Sequence, residues 1–219
     1  MKFAFLLLLT VTSTIHLIDS YKDNGKKRAR TKPFLLLSII GYYITSVEKP
    51  SWVLLVALIT SWLGDVLLIP KGKKWFVCGG VSFLISHIFF IGVYSANVVF
   101  SQVNWLIVVP AILVYVTVVT IVLVKLKPYT GKMFVAMFLY LLINGTMNSF
   151  ALMQLVTNPC LATAVAYAGA ILFFVSDCTL YFVRFHPKKD IVFKRHFTVM
   201  LTYILGEFLI TQGLIMLTL

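Results

Sequence analysis

Four ionisable side chains, Asp65, His87, Asp177 and Glu207, lie inside long apolar stretches. An ionisable group at the centre of a hydrocarbon layer costs roughly 2.5–3.5 kcal/mol on insertion scales, so such groups face a protein interior and act there. Two carboxyl groups in one apolar site take different protonation states, which is what acid–base chemistry and proton relays require. Asp65 and Asp177 have depths compatible with one shared site. On straight helices Asp65 lies within about two turns of the end nearer a basic connection, and Asp177 lies a little deeper. His87 and Glu207 fall nearer mid-span. A neutral His87 can hold an acid or a water, or simply make an interhelical hydrogen bond.

The neighbours of these groups follow helical spacing. Phe76, Gly79, Phe83, His87 and Phe90 stand at offsets of 3, 7, 11 and 14 and fall on one face. That face combines a small residue, aromatic walls and one titratable ring, as the lining of a pocket between helices would. Tyr140, Asn144 and Asn148 share a second face. Asp177, Tyr181 and Arg184 share a third, and Tyr203, Glu207 and Thr211 a fourth. The asparagines read first as interhelical glue, and second as substrate contacts. Lys32 and Arg184, at the ends of spans, read as topology anchors or as holders of a lipid phosphate.

The elements that carry these residues must be membrane spans. Of the 219 residues 60% are hydrophobic and 12% charged, and the mean hydropathy is +0.97, more apolar surface than a soluble domain can use. Eight spans are expected, at about 3–18, 33–47, 52–69, 75–96, 103–124, 133–156, 160–184 and 192–217, in one transmembrane domain. A basic linker at 19–32 should turn at Asn24-Gly25, and Pro33 should stand near the first helical position of the second span. Seventeen of the nineteen lysines and arginines fall in the connections after spans 1, 3, 5 and 7, leaving only Lys2 and Lys49 on the other side. The positive-inside rule then makes those connections cytoplasmic and places both termini outside. The same distribution explains the +12 net charge without nucleic acid as a partner. Span 1 is read as a retained helix rather than a signal peptide, because cleavage would send its basic connection outward. A bacterial plasma membrane is the expected host, or the endoplasmic reticulum in a eukaryote.

Several chemistries are set aside. There is no G-x-S-x-G elbow, S-x-x-K motif, Walker loop or dinucleotide fingerprint. Cys78, Cys160 and Cys178 lack both metal spacing and a disulfide framework. A His-rich zinc site is not expected, since only His87 lies well inside a span. Two readings stay open on the residues alone: an enzyme with intramembrane carboxyl groups, and a proton-coupled transporter or lipid-binding protein that uses the same groups as relays. A faint internal echo (Asp, basic loop, then a mid-span titratable group, in spans 3–4 and again in 7–8) suits a transporter repeat, but no paired broken spans mark a midplane site.

Ordered motifs add a resemblance. Gly64-Asp65-x-x-Leu68, Pro70, and Phe76-x-x-Gly79-x-x-x-Phe83-x-x-x-His87 are similar to the signature of the YhhN-like membrane proteins, the lysoplasmalogenase family. Phe173-Phe174-x-Ser176-Asp177-x-x-Leu180 resembles its second Asp motif. Thr202-Tyr203-x-x-Gly206 with Phe208-Leu209-Ile210 resembles its last-helix motif, and Lys32-Pro33 its entry to span 2. The resemblance covers roughly residues 32–215. Phe90 stands where the family often has Tyr, and Glu207 where it often has Gln. The resemblance implies hydrolysis of the vinyl ether of lysoplasmalogens to a fatty aldehyde and a glycerophospho-base, with no cofactor. The implied partners are a lysophospholipid substrate and the surrounding membrane lipids.

Such a bond breaks when its β-carbon is protonated, giving an oxocarbenium ion that water attacks; glycosidases meet a related cation with two carboxyl groups in different protonation states. On this reading Asp65, Asp177 and His87 are the expected catalytic residues. Glu207, Asn144, Asn148, Tyr203, Tyr181, Lys32 and Arg184 are the expected substrate-binding residues, and no metal is expected.

Overall fold

The structure, a computed structural model, describes residues 1–218 and is all-helical. Among those residues the α-helices are α1 (Lys2–Tyr21), α2 (Gly25–Ser46), α3 (Trp52–Leu67), α4 (Lys73–Ser95), α5 (Trp105–Thr130), α6 (Phe134–Thr157), α7 (Leu161–Phe185) and α8 (His196–Met216). Five helical stretches are long and apolar enough to cross a membrane: α1, α4, the run from Trp105 to Thr157, α7 and α8; α3 is a shorter apolar helix. Leu106, Leu113, Val114, Val124, Val135 and Leu161 are all exposed. An outer surface of this kind suits lipid rather than water, and the chain is a multi-pass membrane protein.

The basic linker is much shorter than the sequence predicts. Helix α1 runs on to Tyr21 and α2 begins at Gly25, so only Lys22, Asp23 and Asn24 join them. Lysine, arginine and alanine are good helix formers, and Asn24 caps the new start by accepting from the Lys27 N–H at 3.3 Å. Pro33 therefore stands deep inside α2 rather than at its beginning. The Trp62 indole donates to the Pro33 carbonyl at 3.0 Å, tying α2 to α3. Likewise α5 continues through Pro128 to Thr130, so Lys125 and Lys127, expected in a loop, are helical.

Two antiparallel helix pairs carry the acids. In α3–α4, Gly64 lies against the Phe83 ring, where an added Cβ would come within 2.6 Å of it. Three hydroxyls close the seam: Ser82 donates to the Thr60 carbonyl at 2.7 Å, Ser86 to the Ala57 carbonyl at 2.8 Å, and Ser61 pairs with Ser86 at 2.7 Å. In α7–α8 the backbones meet through Gly169, Gly206 and Gly213. In lipid there is no hydrophobic drive between helices, so close backbone approach over small residues holds such a pair. A Cβ at Gly213 would lie 2.5 Å from both the Ala162 carbonyl oxygen and the Ala166 nitrogen. Backbone cannot move aside as a flexible side chain can, so Gly213→Ala is expected to cost about 1–3 kcal/mol. A lowered thermal midpoint in detergent would register it.

Candidate functional site

The two aspartates lie on the wall of one cavity of about 820 Å³, together with Lys32, Phe83, Ser176 and Tyr203. The α3–α4 seam positions Asp65 and the α7–α8 seam positions Asp177. Ser176 donates to the Val199 carbonyl at 2.9 Å and so locks the turn of α7 that carries Asp177.

The carboxyl groups have different company. Lys32 Nζ stands 3.2 Å from Asp65 Oδ1, and the Tyr203 hydroxyl donates to Asp65 Oδ2 at 2.9 Å. Asp65 is thus matched by a cation. Asp177 Oδ2 accepts from the Tyr140 hydroxyl and the Asn144 amide, each at 2.7 Å, and faces His87 Nε2 at 3.6 Å. No fixed cation pairs with it among the described residues. His87 Nδ1 lies 2.6 Å from the Phe83 carbonyl, an acceptor, so Nδ1 carries the proton. On a neutral ring Nε2 is then a lone pair aimed at a carboxyl oxygen. At 3.6 Å it makes no hydrogen bond, and Asp177 Oδ2 is already held by Tyr140 and Asn144.

Aromatic rings separate and steady these groups. Phe173 sits 4.8 Å from the His87 ring and 5.5 Å from Tyr203, and Phe83 is 5.8 Å from Tyr203. The His87 and Tyr140 rings meet edge to face at 5.3 Å. Such contacts fix rotamers.

The expected substrate-binding residues divide. Lys32, Arg184 and Tyr203 line the cavity. Arg184 lies over the Phe76 ring at 4.8 Å, so its charge is held at the rim rather than free in solvent. Asn144, Asn148, Tyr181, Glu207 and the expected catalytic His87 stand behind the wall. Asn144 serves Asp177, and Asn148 donates to the Asn144 carboxamide oxygen at 3.0 Å. Tyr181 packs on Phe76 and Tyr140. Glu207 is fully buried, and neither of its oxygens meets a hydrogen-bond donor. None of these five side chains is part of the cavity wall.

Sequence reasoning did not assign a role to several groups at the other end of the cavity. His16, Arg28, Arg195 and His196 line its mouth, with Lys26 and Lys71. In the sequence the cations are plain topology charges; their convergence needs α1, α2 and α8 side by side. Arg28 pairs with Asp23 at 3.5 Å. Burial lowers the Arg28 guanidinium pKa from its ordinary value, Asp23 opposes the shift and the neighbouring Arg195 adds to it. Among the described residues no three His, Cys, Asp or Glu side chains gather as a metal site.

The cavity therefore grades from a cationic mouth, along apolar walls, to two carboxyl groups with unlike partners. Comparison with curated proteins finds no match, and comparison with solved structures finds none. The sequence model of the YhhN family matches residues 27–214, a span that contains both aspartates, Lys32, His87 and the Gly169–Gly206–Gly213 seam. The chain belongs to the YhhN family.

Proposed function

We propose that the protein hydrolyses the vinyl ether bond of a lysoplasmalogen-type lysophospholipid. In this reading it spans the membrane eight times, with both termini outside and the cavity mouth at the cytoplasmic face. The observation that carries the reading is the unlike company of two carboxyl groups on one cavity wall: Lys32 beside Asp65, and His87, Tyr140 and Asn144 beside Asp177.

The roles follow from that difference. Asp177, protonated and steadied by His87, gives its proton to the β-carbon of the vinyl ether. The double bond supplies the electron pair for the new C–H bond, and the ether oxygen shares the resulting positive charge. Asp65, kept ionised by Lys32, faces that oxocarbenium ion with a negative charge, which low polarity makes effective. Water adds to the cation and its proton returns to the Asp177–His87 pair. The hemiacetal then collapses: its hydroxyl proton passes to the ether oxygen, the C–O bond breaks, and a fatty aldehyde and a glycerophospho-base leave. Overall one water is consumed, and the catalyst ends as it began.

Purified protein in detergent should release aldehyde from a vinyl-ether lysophospholipid and none from its alkyl-ether counterpart, which has no double bond to protonate. Release from neither, with proton-coupled uptake of an unchanged solute into vesicles, would replace the hydrolase with a transporter.

A further inference from the structure

We propose that the cavity mouth is a binding site for a phosphate ester, held by His16 on α1, Arg28 on α2 and Arg195 at the start of α8. Its identification with a lipid headgroup rests on the hydrolase reading; the anion site itself does not.

Three side-chain nitrogens on this wall are buried without a partner. His16 is 1% exposed, and its Nε2 has no partner. Arg28 Nη1 and Arg195 Nε are buried and also unpartnered. Buried polar nitrogens are normally satisfied, and here three come from three helices onto one cavity. His16 Nδ1 lies 2.8 Å from the Thr31 hydroxyl, whose own proton goes to the Arg28 carbonyl at 3.2 Å, so on the neutral ring Nδ1 carries the proton and Nε2 is a lone pair. An anion seated here selects the doubly protonated ring, in which Nε2 donates.

The charge is unbalanced at this point. Asp23 takes up Arg28, and Asp65 takes up Lys32. Among the described residues Arg195 makes no ion pair. Lys194 and Arg195 hold positive φ angles of 45° and 42°, a backbone conformation that residues with side chains rarely adopt. Arg195 is also the N-cap of the 21-residue α8, and no side chain caps that end. The positive end of the helix dipole therefore adds to the two guanidiniums.

A phosphate ester is the anion these features fit. Its non-bridging oxygens offer several acceptors to donors arriving from different directions, and guanidinium groups match that geometry. A headgroup phosphate seated here leaves the glycerol and chain to run down the apolar wall formed by Leu68, Phe76 and Leu180 towards the acids. A free phosphate ester can present the same oxygens to the same donors.

The test measures binding to the full chain in detergent. Three probes are compared: an alkyl-ether lysophospholipid that resists cleavage, a 1-O-alkylglycerol without phosphate, and sn-glycerol 3-phosphate without a chain. The lysophospholipid is expected to bind about tenfold or more tightly than the alkylglycerol, and Arg195→Gln and Arg28→Gln should each erase most of that advantage. Arg195→Lys should keep part of it. Should Arg195→Gln fail to fold, the parent's preference and the Arg28→Gln variant decide the matter. Glycerol phosphate binding as tightly as the lysolipid would keep the site and assign it to free phosphate esters. No preference for phosphate in the parent, or a preference untouched in both glutamine variants, would overturn the site. Aldehyde release without a phosphate preference leaves the hydrolase standing and removes the anion site; a phosphate preference without release does the reverse.

Discussion

Asp177→Asn is expected to lower aldehyde release from a vinyl-ether lysophospholipid by about 10²–10⁴-fold, the range a general acid contributes. Asparagine is nearly isosteric, and its amide oxygen can still accept from Tyr140 and Asn144. The pocket should therefore keep its shape and its affinity for an uncleavable alkyl-ether lysolipid. What it loses is an acidic proton, which an amide does not deliver to carbon. The loss should appear in kcat, with KM held, because the interaction removed is made only in the transition state. A well-folded Asp177→Asn variant with normal turnover would take the proton-donor role away from this residue.

Lys32→Met is expected to destabilise the protein by about 3–5 kcal/mol, and adding Asp65→Asn should restore much of that loss. The two side chains meet at 3.2 Å, with the Asp65 side chain 2% exposed and that of Lys32 15% exposed. Removing the lysine strands a buried carboxylate with only the Tyr203 hydroxyl beside it. Removing the aspartate costs less, since Lys32 lies on the cavity wall and its flexible stem can carry the ammonium towards the mouth. This asymmetry is the checkable part: thermal midpoints in detergent should fall furthest for Lys32→Met, less for Asp65→Asn, and recover in the double variant. Equal midpoints for all four proteins would show that the pair does not hold α2 to α3. Aldehyde release should stay low in the double variant despite its stability, because no carboxylate then faces the cation. That separates the structural role of the pair from its chemical one.

The positions of the acids and their apolar setting were legible in the residues alone. Hydropathy marks a helical membrane chain because a spanning segment must satisfy its backbone internally, and this is a property of each segment by itself. Helical spacing likewise placed Tyr140, Asn144 and Asn148 on one face, and Tyr203 and Glu207 on another. Helix ends were less legible. Propensity and the Asn24 cap carry α2 back to Gly25, although its first turns are too basic to resemble a span.

What only the tertiary structure decided is which face meets which. Lys32 reaches Asp65 across α2 and α3, while His87, Tyr140 and Asn144 come to Asp177 from α4 and α6. The spacing of one helix says which of its residues share a side, but nothing about the neighbour on that side. That choice is made by close packing: at Gly64 against Phe83, along the Gly169–Gly206–Gly213 seam, and where α1, α2 and α8 gather His16, Arg28 and Arg195 around one mouth. Sequence therefore determined that this chain keeps carboxyl groups inside a membrane bundle. Packing decided that one sits beside a lysine and the other beside a histidine, and the different roles proposed for them rest on that.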